Sequence, residues 1–132
     1  MGATGVEQRT HFRLDPRLVG RPRKLAAGAA EVELTTVPEM ASDDRGLVHG
    51  SFTFGLADMA AMLAVNEPHV VLGSAEAKFL KPVVVGDHLL AVASVRFADG
   101  KKRMVDVEVR RGDEVVATAV CTCFVLPRHV LG

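Results

Sequence analysis

One carboxylate stands alone in a stretch that is otherwise built for burial. From His49 to Asn66 the chain reads His-Gly-Ser-Phe-Thr-Phe-Gly-Leu-Ala-Asp-Met-Ala-Ala-Met-Leu-Ala-Val-Asn, with Asp58 its single acidic residue. The run predicts a helix that is hydrophobic nearly all the way round, and such a helix belongs inside a domain. An ionised carboxylate there is costly unless it has partners or a task. In apolar surroundings its pKa rises, which makes it a better base near neutrality. Asp58 is therefore the first candidate for chemistry, and a structural acceptor role toward a neighbouring chain is the alternative.

The elements that must position it are legible around the helix. Residues 1–23 are polar, with Pro16, Gly20 and Pro22, and predict an irregular N-terminal arm anchored by Phe12, Leu14, Leu18 and Val19. The domain proper then runs from 24 to 132. Ala29 to Val37 alternates as a strand, and Pro38 to Gly46 breaks it with turn residues. Pro68 disfavours α geometry at Glu67 and stops the helix. Four strand-like segments follow: Val70 to Val85, His88 to Phe97, Arg103 to Arg111 and Val115 to Leu126. Gly86-Asp87, Asp99-Gly100 and Gly112-Asp113 separate them, the second being a pair favoured in type I′ hairpins. Tight connections make antiparallel pairs. The expectation is an α+β domain in which one long central helix is wrapped by a curled antiparallel sheet of about five strands.

Composition sets the partners. Sixteen basic residues balance sixteen acidic ones in a chain of 132 residues, so no net field draws it to nucleic acid or an anionic membrane. No stretch has the form of a signal peptide, and none reaches the roughly 18 apolar residues of a membrane span. A cytoplasmic protein with a small-molecule partner is expected. Cys121 and Cys123 share one face of a strand, too few for a metal site and poorly placed for a disulfide, and read as small core residues.

Two motifs carry a family resemblance. The segment His49-Gly50-Ser51-Phe52-Thr53-Phe54-Gly55-Leu56-Ala57-Asp58 resembles the His-Gly-Gly signature of hotdog-fold acyl-CoA thioesterases of the phenylacetyl-CoA type. Lys78-Phe79-Leu80-Lys81-Pro82, with Gly86-Asp87, is similar to the strand end and glycine-acid turn of the same family. The resemblance implies a hotdog fold over about residues 29–126, thioester hydrolysis, Asp58 as nucleophile or general base, and Gly50 as the residue that polarises the thioester carbonyl. It also implies a site at a dimer interface. Ser51 replaces the family's second glycine, and its Cβ narrows the approach to the helix start.

That chemistry suits the residues. Thioester hydrolysis passes through an oxyanion, and the free N–H groups at a helix N-terminus, here those of Gly50 and Ser51, are donors at the positive end of the dipole. His49 is expected to orient this turn. Asn66 either ends the helix or touches ligand, and Ser74 is a candidate for positioning water. Phe52, with Phe54, Met59 and Met62, gives the acyl pocket an apolar character. Lys78 and Lys81 lead the candidates for coenzyme A phosphates, ahead of Lys101, Lys102, Arg103, Arg110, Arg111 and Arg128. No cofactor or metal is expected, since coenzyme A belongs to the substrate. The rival function is a non-catalytic acyl-CoA-binding module of the same fold, against which Asp58 argues. A hotdog hydratase is disfavoured, because Gly86-Asp87-His88 continues Leu89-Leu90-Ala91 rather than that signature.

Spacing adds a condition on assembly. Gly50 and Asp58 are eight residues apart, about 12 Å along one helix. Groups acting on one carbon must lie within about 3 Å of the reacting atoms. If both act, they come from different subunits of a symmetric homodimer, itself open to pairing into a dimer of dimers.

Overall fold

The computed structural model describes residues 5–132, so the first four residues of the arm lie outside the described residues. In chain order the elements are α1 (Pro16–Val19), β1 (Arg21–Ala26), β2 (Ala29–Thr35), α2 (Gly50–Val65), β3 (Val70–Phe79), β4 (His88–Asp99), β5 (Lys102–Arg111) and β6 (Glu114–Val125), with a 3-10 turn at Pro38–Met40. The strands form one antiparallel curled sheet in the order β1-β2-β4-β5-β6-β3. With the long helix α2 against it, this is the α+β hotdog architecture, and the sheet has six strands.

The sixth strand comes from the stretch that reads as arm. Arg21, Pro22, Arg23 and Lys24 of β1 are all exposed, so no alternation of apolar residues marks the strand. It is built from pairing with β2, across a bulge between Pro22 and Lys24, with Leu25 packed partly on the core. Elsewhere period two holds: Ala30, Val32 and Leu34, Leu89, Ala91 and Ala93, then Val105, Val107 and Val109 are all buried. Cys121 and Cys123, free thiols with no exposed surface, complete that layer on β6.

Two local expectations change. The segment from Val70 to Val85 is not one strand: β3 ends at Phe79, and Leu80 to Asp87 leaves the sheet. β3 then pairs with β6, so this connection passes β6 and β5 before β4 begins. Three strand spacings are about 15 Å, well within the reach of eight residues. On its way the connection frames the start of α2, since the Val48 N–H donates to Val83 O at 2.8 Å and the Val85 N–H to Gly46 O at 2.9 Å. At the β4–β5 hairpin, Asp99 pairs with Lys102 and the turn is centred on Gly100-Lys101. Only Gly100 has positive φ there (58°), the pattern of a type II′ rather than a type I′ turn.

Of the expected arm anchors, Leu18 and Val19 pack on the core while Phe12 and Leu14 are exposed. The close seat of α1 depends on Gly20. With φ of +98°, a Cβ there would lie 2.8 Å from Glu33 O and from Leu56 Cδ1.

Candidate active site

The start of α2 is held from outside and left open at its tip. His49 is the N-cap residue, in extended geometry and without a side-chain capping bond. Its N–H donates to Met40 O at 2.9 Å, while its imidazole is exposed. Among the described residues the N–H groups of Gly50 and Ser51 donate to no protein acceptor, so the donors anticipated at this position are free. Ser51 is exposed, and Phe52 packs partly into the core. A Cβ on Gly50 would meet Phe79 Cε1 at 3.5 Å, ordinary contact, so packing in one chain does not itself demand glycine. The helix start and the end of β3 therefore lie side by side, with exposed Lys78 next in the chain to Phe79.

Two turns further on, Asp58 occupies the helix face that the sheet leaves partly uncovered. Ser51, Phe54, Gly55 and Asp58, spaced i, i+3, i+4 and i+7, are all less than fully buried, whereas Leu56 and Ala60 to Ala64 are almost wholly enclosed. Within this face, Asp58 Oδ1 is buried and has no hydrogen-bond partner. Burial pushes the carboxyl above its ordinary value, and the charge of His11 partly offsets the rise. An unpartnered buried oxygen on a carboxyl with a raised pKa is the setting in which a carboxylate gains basicity and is least tied down by neighbours. Cys121 and Cys123 lie beneath; burial, with smaller contributions from neighbouring negative charge including Asp58, pushes their thiols up to about 11 and about 12, so both stay neutral.

The remaining candidates separate. Asn66 ends α2 in the left-handed region with φ of 54°, the helix-ending role that was one of its two readings. Its amide is engaged at both ends: Oδ1 accepts from the Arg9 N–H at 2.8 Å and Nδ2 donates to Glu7 O at 2.7 Å. Ser74 is exposed on β3. Lys81 Nζ lies 3.9 Å from Glu114 at the surface. Arg111 is occupied, donating to Asp87 Oδ2 and to Pro82 O at 2.8 Å each. Asp87 Oδ2 also accepts from the Val84 N–H at 3.0 Å, so the glycine-acid turn braces the connection that supports the helix start.

The residue that sequence reasoning passes over is His11. It lies in the arm, 47 positions before Asp58 and outside both motifs, so no spacing signals it. Asn66 ties the arm to the far end of the helix through Glu7 and Arg9, a contact that tertiary structure alone supplies. Among the described residues, no group of three or more His, Cys, Asp or Glu side chains is placed to hold a metal ion. No helix there is long and apolar enough to cross a membrane.

One long helix against a curled six-stranded antiparallel sheet defines a hotdog protein. Residues 45–118 match the family model described as Thioesterase superfamily, which is more than half of the chain, and the chain belongs to that superfamily. It is similar to an uncharacterized protein from Pyrococcus horikoshii, with 57% identity, a TM-score of 0.96, and coverage of 97% of this chain and 98% of that one. A mutant structure of the phenylacetic acid degradation protein PaaI from Thermus thermophilus is similar at 29% identity and a TM-score of 0.77, over 83% of this chain and 95% of that one. An Aquifex aeolicus protein named methylthioribose-1-phosphate isomerase is 52% identical over 111 residues, 84% of this chain. The chain spans only 24% of that protein's length, so most of the isomerase lies beyond the match.

Proposed function

We propose that this protein is an acyl-CoA thioesterase, working in the cytoplasm as a homodimer, that hydrolyses a thioester to a free acid and coenzyme A. The observation that carries the reading is Asp58: a carboxyl with a buried, unpartnered oxygen and a pKa raised by burial, on the central helix of a thioesterase-superfamily fold. Asp58 either removes a proton from the attacking water or attacks the carbonyl itself, and the free N–H groups of Gly50 and Ser51 receive the oxyanion. The bond to sulfur then breaks: in the first route coenzyme A leaves as the thiol with the proton taken from the water, and in the second water hydrolyses the mixed anhydride left on Asp58, giving the free acid and supplying the proton to the thiolate. Because Gly50 and Asp58 are two turns apart on α2, each site takes the helix start of one subunit and the acid of the other, with exposed Lys78 and Lys81 near the entrance available to phosphate.

Asp58→Asn tests this. The substitution is expected to lower kcat by at least about 100-fold, the scale for losing a positioned acid or base, with acyl-CoA binding still measurable. Stability should move the other way. A carboxyl whose folded pKa is raised binds protons more tightly in the folded state, so stability falls as pH rises through the window between its ordinary and its raised value. Asn removes that cost, and the variant should melt a few degrees higher at pH 7. Free-thiol release from short, medium and aryl acyl-CoAs, with calorimetry, reads both effects. Undiminished turnover in the variant rejects the catalytic role, and binding without turnover in either protein favours the acyl-CoA-binding module.

A further inference from the structure

Cationic and imidazole side chains converge on one part of the surface, away from the start of α2. The N-terminal arm, the residues just before β3 and the C-terminal tail enclose an open hollow of about 380 Å³. Arg9, His11 and Arg13 line it from the arm, His69 from the approach to β3, and His129 from the tail. Three of the chain's five histidines are thus gathered in one wall. No aspartate or glutamate lines the hollow, although acidic and basic residues are equal in number over the chain. Two guanidinium groups and three imidazoles without an acid make a local excess of donors and positive charge, the complement of an anion.

These donors are hardly used within the protein. The Arg9 guanidinium meets Glu67 at 3.6 Å across exposed surface. Arg13 has no acidic partner among the described residues. His129 Nδ1 accepts from the Leu131 N–H at 3.0 Å, so the neutral ring carries its proton on Nε2. His69 Nδ1 is buried without a hydrogen-bond partner, an uncommon condition in a folded protein. The His69 and His129 rings meet edge to face, with centroids 6.4 Å apart. Both sides of the hollow are tied down: the Leu126 N–H donates to His69 O at 3.3 Å, and Asn66 holds the arm at Glu7 and Arg9. Phe12 lines the same hollow yet is 65% exposed, a ring open to stacking.

We propose that this hollow binds the phosphate group of a nucleotide, with Arg9 and Arg13 pairing with its oxygens, the His69 and His129 rings donating to them, and Phe12 stacking on the base. Guanidinium forks match phosphate geometry, and the volume falls in the range of pockets that hold small molecules. A nucleotide joins the two features that the wall presents, an anion and a flat ring. The chemistry has two sources: the nucleotide end of coenzyme A, or a separate nucleotide. The proposal does not depend on the thioesterase reading, since none of these residues is placed at the thioester.

The histidines themselves report the binding. Ring-proton NMR of the full chain, assigned with single His→Gln variants, is followed through a titration with AMP. Saturable shifts are expected at His11, His69 and His129 and not at His88, which lines a different hollow at the start of β4. The double variant Arg9→Ala/Arg13→Ala, in which both side chains are exposed, should keep its fold and bind AMP about 10-fold or more weakly. If it does not fold, Arg13→Ala alone supplies the weakened binding. Coenzyme A separates the sources. Displacement of AMP by coenzyme A, with a shift at His49 beside the helix start, assigns the hollow to the substrate's nucleotide end; AMP that stays bound assigns it to a separate nucleotide. The absence of saturable shifts at the three rings with millimolar AMP, or unchanged affinity in the folded arginine variant, overturns the proposal. The readout needs no turnover, so a failure to release thiol from any acyl-CoA counts against the thioesterase reading alone.

Discussion

The two edges of the sheet are finished in opposite ways. β1 presents Arg21, Pro22, Arg23 and Lys24 to solvent, carries a bulge, and is overlaid by the arm through the bond from the Val6 N–H to Leu25 O. Cations and proline on an edge keep it from pairing, whereas the bulge does not separate the two edges, since β3 has one between Leu72 and Ser74. β3, at the other side, is a ten-residue strand without proline, whose residues Gly73 to Glu76 are exposed and whose end leads into exposed Phe79 and Leu80. It also lies beside the start of α2, where Gly50 approaches Phe79. One edge is closed against association and the other is open next to the candidate site, so a second subunit that completes the site is expected along β3.

The strongest way to break this contrast is to give β3 the charge that β1 already has. Ala75→Lys is expected to dissociate the dimer and lower turnover by about 100-fold or more, because a monomer lacks half of each composite site. Sedimentation and thiol release measure it, and Lys24→Ala on the closed edge should change neither. Full activity from an Ala75→Lys monomer would remove β3 from the site.

A sharper version mixes defective subunits. Gly50→Val and Asp58→Asn, each inactive alone, are expected to regain one working site per heterodimer when unfolded and refolded together. The ordinary contact around Gly50 makes a folded valine variant a fair expectation. Heterodimers without recovered turnover would place both groups in one chain's own site.

The smallest of these effects belongs to the closed side. Asn66→Ala removes both ties to the arm and the residue suited to the left-handed end of α2, and should cost about 1–3 kcal/mol of stability. The dimer should survive, because β3 is untouched. Thermal melting with sedimentation reads both, and dissociation by Asn66→Ala would show that the arm's edge also joins subunits.

Much of the fold was legible because it is written in short-range pattern. The continuous apolar run with one acid marked α2, Glu67-Pro68 its end, and alternating valines and alanines the strands of the meander. Where most of a strand is exposed, as with Arg21 to Lys24 of β1, no alternation marks it, and pairing with β2 together with the partial burial of Leu25 creates the element. Turn centres also escaped, since Asp99-Gly100 and Gly100-Lys101 differ by one residue in register and cross-strand pairing selects between them.

By itself the sequence determined which side chains are available for chemistry and which helix carries them: a lone Asp58 and a glycine beside His49, two turns apart. Tertiary structure decided what surrounds them. Placing β3 beyond β6 rather than beside β4 left an open edge at the helix start, and Asn66 drew an arm from more than fifty residues away across the same helix. Those outcomes depend on contacts between segments distant along the chain, whose register is selected by the burial of the whole core and has no local trace.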